Sequence, residues 1–254
     1  MKRTPSSPSR KKRFFLRFLA IFLGLAVGVT LFMPWEKICV RLVEHIDSRL
    51  VNTRFTWSDL RRAGPSGFRI DDLAVGFANA PGAMFFEHAD LRFGFSPLAR
   101  VRLNTGGSEC FVSVDSKGRL TIDGEVNLTY LFGRSELGGL VHVRGRLIPS
   151  GDGLLLGTGW FDLRAPRLEL PDGTVCSEVA ATVALNNNHW NIKNISLKKP
   201  VDYQGKGVLE LDQTSVPHSL VRLEGDLIVG GQSHSYSLQG RLKDLLSGVR
   251  ENGL

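Results

Sequence analysis

The chain contains few of the residue patterns on which catalytic and metal sites are built. Its three cysteines, Cys39, Cys110 and Cys176, are far apart and form no C-x-x-C pair, so neither a zinc knuckle nor a redox pair is indicated. Six histidines are scattered without an H-x-x-x-H or H-E pair, and the G-x-S-x-G, phosphate-loop and dinucleotide-binding patterns are absent. We therefore expect no enzyme, no cofactor and no metal. The cysteines are interpreted as small buried hydrophobes with at most one disulfide among them.

An excess of charge of one sign is also absent once the N-terminus is set aside. The chain has 32 Lys+Arg and 25 Asp+Glu. Residues 1–17 hold seven basic and no acidic side chains, which leaves 25 of each sign in the rest. A nucleic-acid-binding domain carries a basic patch or stripe, so we expect no nucleic-acid partner.

One long uncharged run is present, at Phe18–Met33. Together with Pro34-Trp35 it predicts a transmembrane signal anchor over 18–35, preceded by a basic cytoplasmic leader over 1–17. The alternative is a cleaved signal peptide with Ala26-Val27-Gly28 as its cleavage site. Either interpretation exports the rest of the chain.

Five residues that flank the apolar run are predicted to hold it at the two membrane interfaces. Basic side chains snorkel toward lipid headgroups, and tryptophan favours the headgroup level. These membrane-interface residues are Lys11, Lys12, Arg13, Arg17 and Trp35. The lipid bilayer is thus the first expected partner.

Residues 36–53 read as an amphipathic helix. Ile38, Leu42, Ile46 and Leu50 recur every fourth residue between charged positions. Such a helix can cap the start of a sheet or lie against the membrane surface. Both roles remain open.

Residues 54–241 show the alternation of apolar and polar residues that is typical of strands with one dry and one wet face. Turn signals occur at Asp123-Gly124, Asp172-Gly173, 186–188 and Gly230-Gly231. We predict a mainly β fold with about a dozen short strands in a curved, mostly antiparallel meander. Residues 242–254 are interpreted as a short C-terminal tail.

A loose repeat runs through this β region. It consists of glycine, one variable residue and an apolar-polar-apolar step, as in Gly124–Leu128, Gly159–Leu163 and Gly207–Leu211. The sequence interpretation places these glycines at strand starts, where they permit bulges or bends.

Three further residue groups have competing explanations. The cluster Met84-Phe85-Phe86 reads as core, although adjacent strand residues face opposite sides and one phenylalanine can be exposed. Asp71-Asp72 cannot converge on a substrate from a regular strand for the same reason. His142 alternates with two valines and is expected on the wet face.

The order of these features resembles the type II secretion system protein N family, and more remotely the AsmA-like periplasmic β proteins. The resemblance rests on Phe32–Glu36, Arg54–Trp57, Gly67–Ile70, Phe95–Leu98 and Gly106-Gly107, and spans about residues 30–230. It implies a single-pass protein of the bacterial inner membrane, with the N-terminus in the cytoplasm and the β domain in the periplasm. It supplies no catalytic residues.

Two functions follow from this resemblance as hypotheses. The first is a non-enzymatic component of a type II protein secretion system that contacts other secretion subunits. The second is an AsmA-like lipid-binding or lipid-transfer module with an apolar groove on its sheet. They differ physically in what covers the apolar face, since a scaffold has a closed core and a lipid carrier has an open groove.

Overall fold

The protein is mainly β, as predicted. The computed structural model describes residues 37, 40–41, 53–64, 66–77, 83–132, 138–150, 157–170, 173–212, 218–229, 231–241 and 244. Strands account for 76% of these residues, and all strands belong to one antiparallel sheet. The mainly β class and the antiparallel pairing are therefore confirmed.

The sheet has 14 strands, which are longer than the sequence pattern suggested. They are β1 (Thr53–Thr56), β2 (Asp59–Arg62), β3 (Gly67–Phe77), β4 (Ala83–Phe93), β5 (Ala99–Thr105), β6 (Ser108–Val114), β7 (Leu120–Asn127), β8 (Gly138–Pro149), β9 (Gly157–Glu169), β10 (Val175–Asn186), β11 (His189–Leu197), β12 (Asp202–Glu210), β13 (Leu220–Val229) and β14 (Gln232–Arg241).

The topology is a simple meander. From β3 to β14 each strand pairs antiparallel with the next strand along the chain, while β1 and β2 both pair with β3. Short connections such as Gly106-Gly107 make this the natural arrangement, because consecutive strands joined by tight turns pair with each other. Left-handed residues occupy three of the predicted turn regions, namely Gly173 (φ 82°), Asn187 (φ 55°) and Gly231 (φ 82°).

Asp123-Gly124 is not a turn, which corrects the sequence prediction. Both residues lie inside β7, which joins two predicted strands into one. Gly124 has φ 148°, and a Cβ there would lie 2.4 Å from the carbonyl oxygen of Glu109. The glycine is needed because the neighbouring strand approaches closely. In the sequence, a glycine required by such close packing looks the same as a glycine in a turn.

The repeat glycines are likewise not at strand starts. Gly124, Gly159, Gly207 and Gly225 all lie within strands β7, β9, β12 and β13. The sequence interpretation of bends at strand starts is therefore wrong. Their shared feature is the face of the sheet on which they lie.

One short helix, α1 (Leu128–Phe132), interrupts the meander. The side-chain oxygen of Asn127 accepts a hydrogen bond from the Tyr130 amide at 3.3 Å, as an N-terminal cap does. The helix contacts β4 and β8, and Tyr130 packs over Gly106 in the β5–β6 turn. It thus fills the space beyond the short β5–β6 hairpin, and Leu131 is buried there.

The predicted N-terminal elements fall mostly outside the described residues. Lys37, Val40 and Arg41 are helical, and Thr53 already begins β1. The leader over 1–17, the anchor over 18–35, most of the helix over 36–53 and the tail over 242–254 (Asp244 apart) lie outside the described part. Among the described residues, no helix has the length and hydropathy of a membrane span.

Candidate functional site

Three neighbouring rows on one face of the sheet carry no charged side chain across ten consecutive strands. Directly opposed residues of antiparallel strands share a face, so the strand register identifies three rows that cross from β5 to β14. The first row is Val101, Val112, Ile122, Gly145, Phe161, Val183, Ile192, Gly207, Leu223 and Leu238. We call the surface formed by these rows the apolar face.

The two flanking rows have the same character. The second is Leu103, Cys110, Gly124, Val143, Leu163, Ala181, Ile195, Gly205, Gly225 and Tyr236, and the third is Ala99, Val114, Leu120, Leu147, Gly159, Leu185, Trp190, Leu209, Val221 and Gly240. The glycine repeat of the sequence therefore marks the apolar face.

Two packed clusters lie on this face, and both are built from neighbouring strands. Ile70, Leu73, Val75 and Ala89 form one at the β1–β5 end, and Leu147, Val183 and Leu185 form the other across β7–β11. Most other residues of the three rows are only partly buried, and Tyr236 is exposed. The side chains therefore pack against each other along the sheet.

No second layer covers the apolar face in the described part of the chain. All substantial contacts between described strands join strands that are adjacent or one apart in the sheet, and α1 contacts β4, β5, β7 and β8. All described strands belong to one sheet, and neither packed cluster contains residues from strands that are far apart in it. The apolar face is a half-buried surface on a single layer.

The opposite face is charged, and we call it the polar face. Along the row that lies between the first two apolar rows, Arg69, Asp90 and Arg102 are followed by the exposed Phe111 and then by Asp123, Arg144 and Asp162. The strongest contacts surround Asp90, which is 5% exposed. Arg69 donates to both of its oxygens, at 2.6 and 2.8 Å, and Arg102 donates as well. The hydrogen bonds from Arg69, with those from Arg102, hold the pKa of Asp90 well below its usual range.

Large side chains lie flat over glycines on the apolar face. A Cβ at Gly145 would lie 2.2 Å from the ring of Phe161. A Cβ at Gly205 would lie 2.3 Å from the hydroxyl oxygen of Tyr203, and one at Gly225 would lie 2.8 Å from it. Glycine at these positions lets an aromatic ring occupy the space over the neighbouring strand.

Two buried polar atoms on this face have no hydrogen-bond partner among the described residues. They are Trp190 Nε1 and the hydroxyl of Tyr203. Burial raises the pKa of Tyr203, with contributions from Tyr236 and Asp226, so its phenol is a hydrogen-bond donor at neutral pH. Buried donors are normally paired, and these two are the polar groups on the face that a ligand oxygen could satisfy.

Two of the exposed apolar side chains on the polar face are neighbours. Trp160 is 39% exposed and Ile148 is 47% exposed. Because Trp160 pairs with Arg146, and Ile148 with Thr158, the two side chains are diagonal neighbours on β8 and β9. Sequence alternation marked these strands but did not single out this pair.

The cluster Met84-Phe85-Phe86 and the pair Asp71-Asp72 both lie where β3 and β4 pair with each other. Met84 and Phe86 pack into the first cluster while Phe85 is 48% exposed, which confirms the alternation argument. Asp71 forms an ion pair with Arg61 at 2.9 Å, and Asp72, with φ 51°, accepts a hydrogen bond from Ser58. The two carboxylates thus have separate partners.

His142, the cysteines and the membrane-interface residues are the remaining candidates from the sequence. His142 is exposed on the polar face, 3.9 Å from Asp123. Cys110 and Cys176 are buried on β6 and β10, so with three strands between them they do not pair with each other. No group of three His, Cys, Asp or Glu residues in the described part could hold a metal ion. The membrane-interface residues Lys11, Lys12, Arg13, Arg17 and Trp35 lie outside the described residues, as does Cys39.

Comparison of the chain with protein-family models, with curated proteins and with solved structures found no match.

Proposed function

We propose that the sheet binds the acyl chains of membrane lipids on its apolar face and serves as a lipid-binding or lipid-transfer module. The observation that carries this proposal is the uncharged face of three ten-residue rows without a described second layer. Of the two functions that the sequence suggested, lipid binding is the one that requires such a face.

The size of the face supports a large apolar ligand. With strands about 4.8 Å apart and same-face residues about 6.8 Å apart along a strand, the three rows occupy roughly 1,000 Å². Part of this footprint is exposed, and contiguous exposed apolar surface beyond a few hundred Å² usually marks an interaction site in a soluble protein. Measured along the sheet, ten strands span about 43 Å, which exceeds the ~30 Å hydrocarbon thickness of a bilayer.

The proposal includes a location at the membrane. Phe18–Met33 is apolar enough in sequence for an anchor, and the basic leader favours a cytoplasmic N-terminus. An anchored β domain would hold its apolar face near the source of its ligand. In this proposal the sheet lies in the periplasm of a bacterial cell and curves to form the groove.

Photo-cross-linking in cells tests the lipid proposal with matched positions. A benzophenone amino acid is introduced at Ile122 or Leu163 on the apolar face, or at the adjacent exposed residues Thr121 or Arg164 on the polar face. After irradiation, the purified full-length chain is examined by mass spectrometry for covalent phospholipid. We expect lipid adducts at Ile122 and Leu163 but not at Thr121 and Arg164.

Two results would contradict lipid binding. One is the absence of adducts at every apolar-face position in correctly folded protein. The other is equal labelling of both faces, since that would indicate general contact with the bilayer.

A second candidate function is the secretion-system component, which the exposed pair Trp160 and Ile148 favours. Tryptophan is enriched among residues that dominate protein interfaces. This pair lies on the polar face, where an apolar ligand groove has no need of it. In this candidate function, a secretion subunit covers Trp160.

The substitution Trp160→Ala tests this second candidate, with Ile228→Ala as a control on the same polar face, where Ile228 is 36% exposed. We expect Trp160→Ala to reduce secretion of exported proteins and co-purification of secretion subunits, while Ile228→Ala leaves both unchanged. Normal secretion by the Trp160→Ala variant at a normal protein level would count against a secretion role.

A further inference from the structure

The two edges of the sheet are built differently. One edge is formed by β1 and β2, two four-residue strands separated at Trp57-Ser58. The other is β14, which is ten residues long and pairs with β13 in an unbroken register from Val229–Gln232 to Leu220–Arg241. Among the described residues, β13 is the one strand that pairs with β14.

β14 lacks the features that normally prevent an edge strand from pairing with another chain. Such features are prolines, bulges and charged side chains. Gln232–Gly240 contains no proline and no Lys, Arg, Asp or Glu, and its register has no irregularity. By contrast, the short β1–β2 edge carries Arg54, Asp59, Arg61 and Arg62.

The composition of β14 suits a second copy of the same strand. A self-paired edge strand brings each side chain opposite one from its own sequence, so charged residues would tend to repel. In β14 the interior is serine, glutamine, tyrosine, leucine and glycine, with His234 as the one basic side chain before Arg241. Serine and glutamine side chains hydrogen-bond to each other without a charge partner.

We propose that two copies of the chain pair antiparallel through β14 and form one continuous sheet of 28 strands, twice the 14 of a single chain. A twofold axis perpendicular to the sheet brings the two β14 strands together and keeps both apolar faces on the same side. The interface is isologous, and the short, charged β1–β2 edge prevents open-ended growth.

The alternation of β14 restricts the register of this pair. Tyr236, Leu238 and Gly240 lie on the apolar face, and Ser235, Ser237 and Gln239 on the polar face. With Ser237 on the twofold axis, each Tyr236 lies opposite Leu238 of the second copy. Ser235 then lies opposite Gln239, so apolar pairs with apolar and polar with polar, and the rows of the apolar face continue into the second copy.

Disulfide cross-linking tests the pairing and its register in the full-length chain. In a Cys39→Ser background, which leaves the buried Cys110 and Cys176 in place, Ser237→Cys puts two thiols directly opposite each other at the axis. Ser235→Cys is the matched control, because its two copies are four residues out of register and about 13 Å apart. We expect an oxidised dimer for Ser237→Cys and little for Ser235→Cys, with the bond mapped by peptide mass spectrometry.

A charge substitution provides an independent measurement. Ser237→Lys places two ammonium groups opposite each other, and we expect it to convert the detergent-solubilised dimer into a monomer in light-scattering chromatography. Thr56→Lys, on the exposed β1 edge, should leave the dimer intact.

Each alternative outcome would overturn the proposal. A wild-type chain that is monomeric at all concentrations would do so, as would equal cross-linking at both serines. An unreactive thiol in Ser237→Cys would mean that another segment covers the edge. None of these results depends on whether the apolar face binds lipid, so the two proposals succeed or fail separately.

Discussion

At the residue scale, the polar face is held together by a carboxylate with two arginines. Asp90 is nearly inaccessible, but the side chains of Arg69 and Arg102 are 32% and 34% exposed. The acid is therefore desolvated while its partners keep part of their hydration. Removing the acid leaves arginines that water can reach. The loss in the free energy of unfolding is therefore smaller than for a fully buried pair.

Asp90→Asn should lower the free energy of unfolding by about 2 kcal/mol at neutral pH. Because the pKa of Asp90 is depressed in the folded chain, its contribution is present above the unfolded pKa near 4 and declines as the pH falls below that value. Urea unfolding of the full chain at several pH values measures this. The difference between wild type and variant should shrink in acid. Glu109→Gln, which removes the more exposed pair with Arg102, should change the free energy of unfolding little. If the difference between wild type and Asp90→Asn stayed constant across pH, that result would contradict the stabilising role assigned to the Asp90 carboxylate.

A second residue-scale prediction concerns Cys110. Burial, with a contribution from Asp123, raises the pKa of this thiol to about 11, so little thiolate is present at pH 8. Iodoacetamide should leave Cys110 unmodified in the native chain and modify it after denaturation. Peptide mapping distinguishes it from the other cysteines. Rapid labelling in the native state would mean that the second apolar row opens readily to solvent.

At the element scale, the glycines determine how the strands pack. Alternation and turn signals in the sequence predicted that strands fill residues 54–241. They did not distinguish a glycine in a turn from one beneath a neighbouring side chain, because both positions exclude Cβ. For this reason Asp123-Gly124 resembled a hairpin turn.

Gly145→Ala tests this role of glycine. Its Cβ would lie 2.2 Å from the ring of Phe161 and 2.6 Å from the carbonyl oxygen of Trp160, and a backbone atom cannot rotate away. We expect a loss of about 1–3 kcal/mol in unfolding free energy, as for other overpacked sites. Gly76→Ala is the control within β3, since its nearest atom would be 3.8 Å away. Similar stability of the two variants would contradict the packing interpretation.

At the scale of the whole sheet, the contacts are local in sequence. Each strand is stabilised mainly by the strand before it and the strand after it. Proteins of this kind behave approximately as a sum of neighbour interactions, and parts of them can open separately. The two apolar clusters share no residue, so they are expected to respond to substitutions independently.

Leu185→Ala should therefore destabilise one part of the sheet. Leu185 is 5% exposed in the second cluster, and its truncation is expected to cost about 2–3 kcal/mol locally. Hydrogen exchange read by mass spectrometry should become faster in β7–β11 and stay unchanged in β3–β5. Leu73→Ala, in the first cluster, should give the reverse pattern. Equal acceleration throughout the sheet by either variant would show that it unfolds as one cooperative unit.

The sequence by itself determined the mainly β class, the antiparallel meander and the apolar character of alternate residues, because strand periodicity and turn chemistry act over a few neighbouring residues. It left open what covers the apolar side, since a closed core and an open groove require the same alternation. Only the tertiary structure decided that, in the described part of the chain, the uncharged residues form aligned rows on a single layer. The alignment depends on strand register, which is a relation between residues distant in sequence, and so does the contrast between the short, charged β1–β2 edge and the long β14 edge.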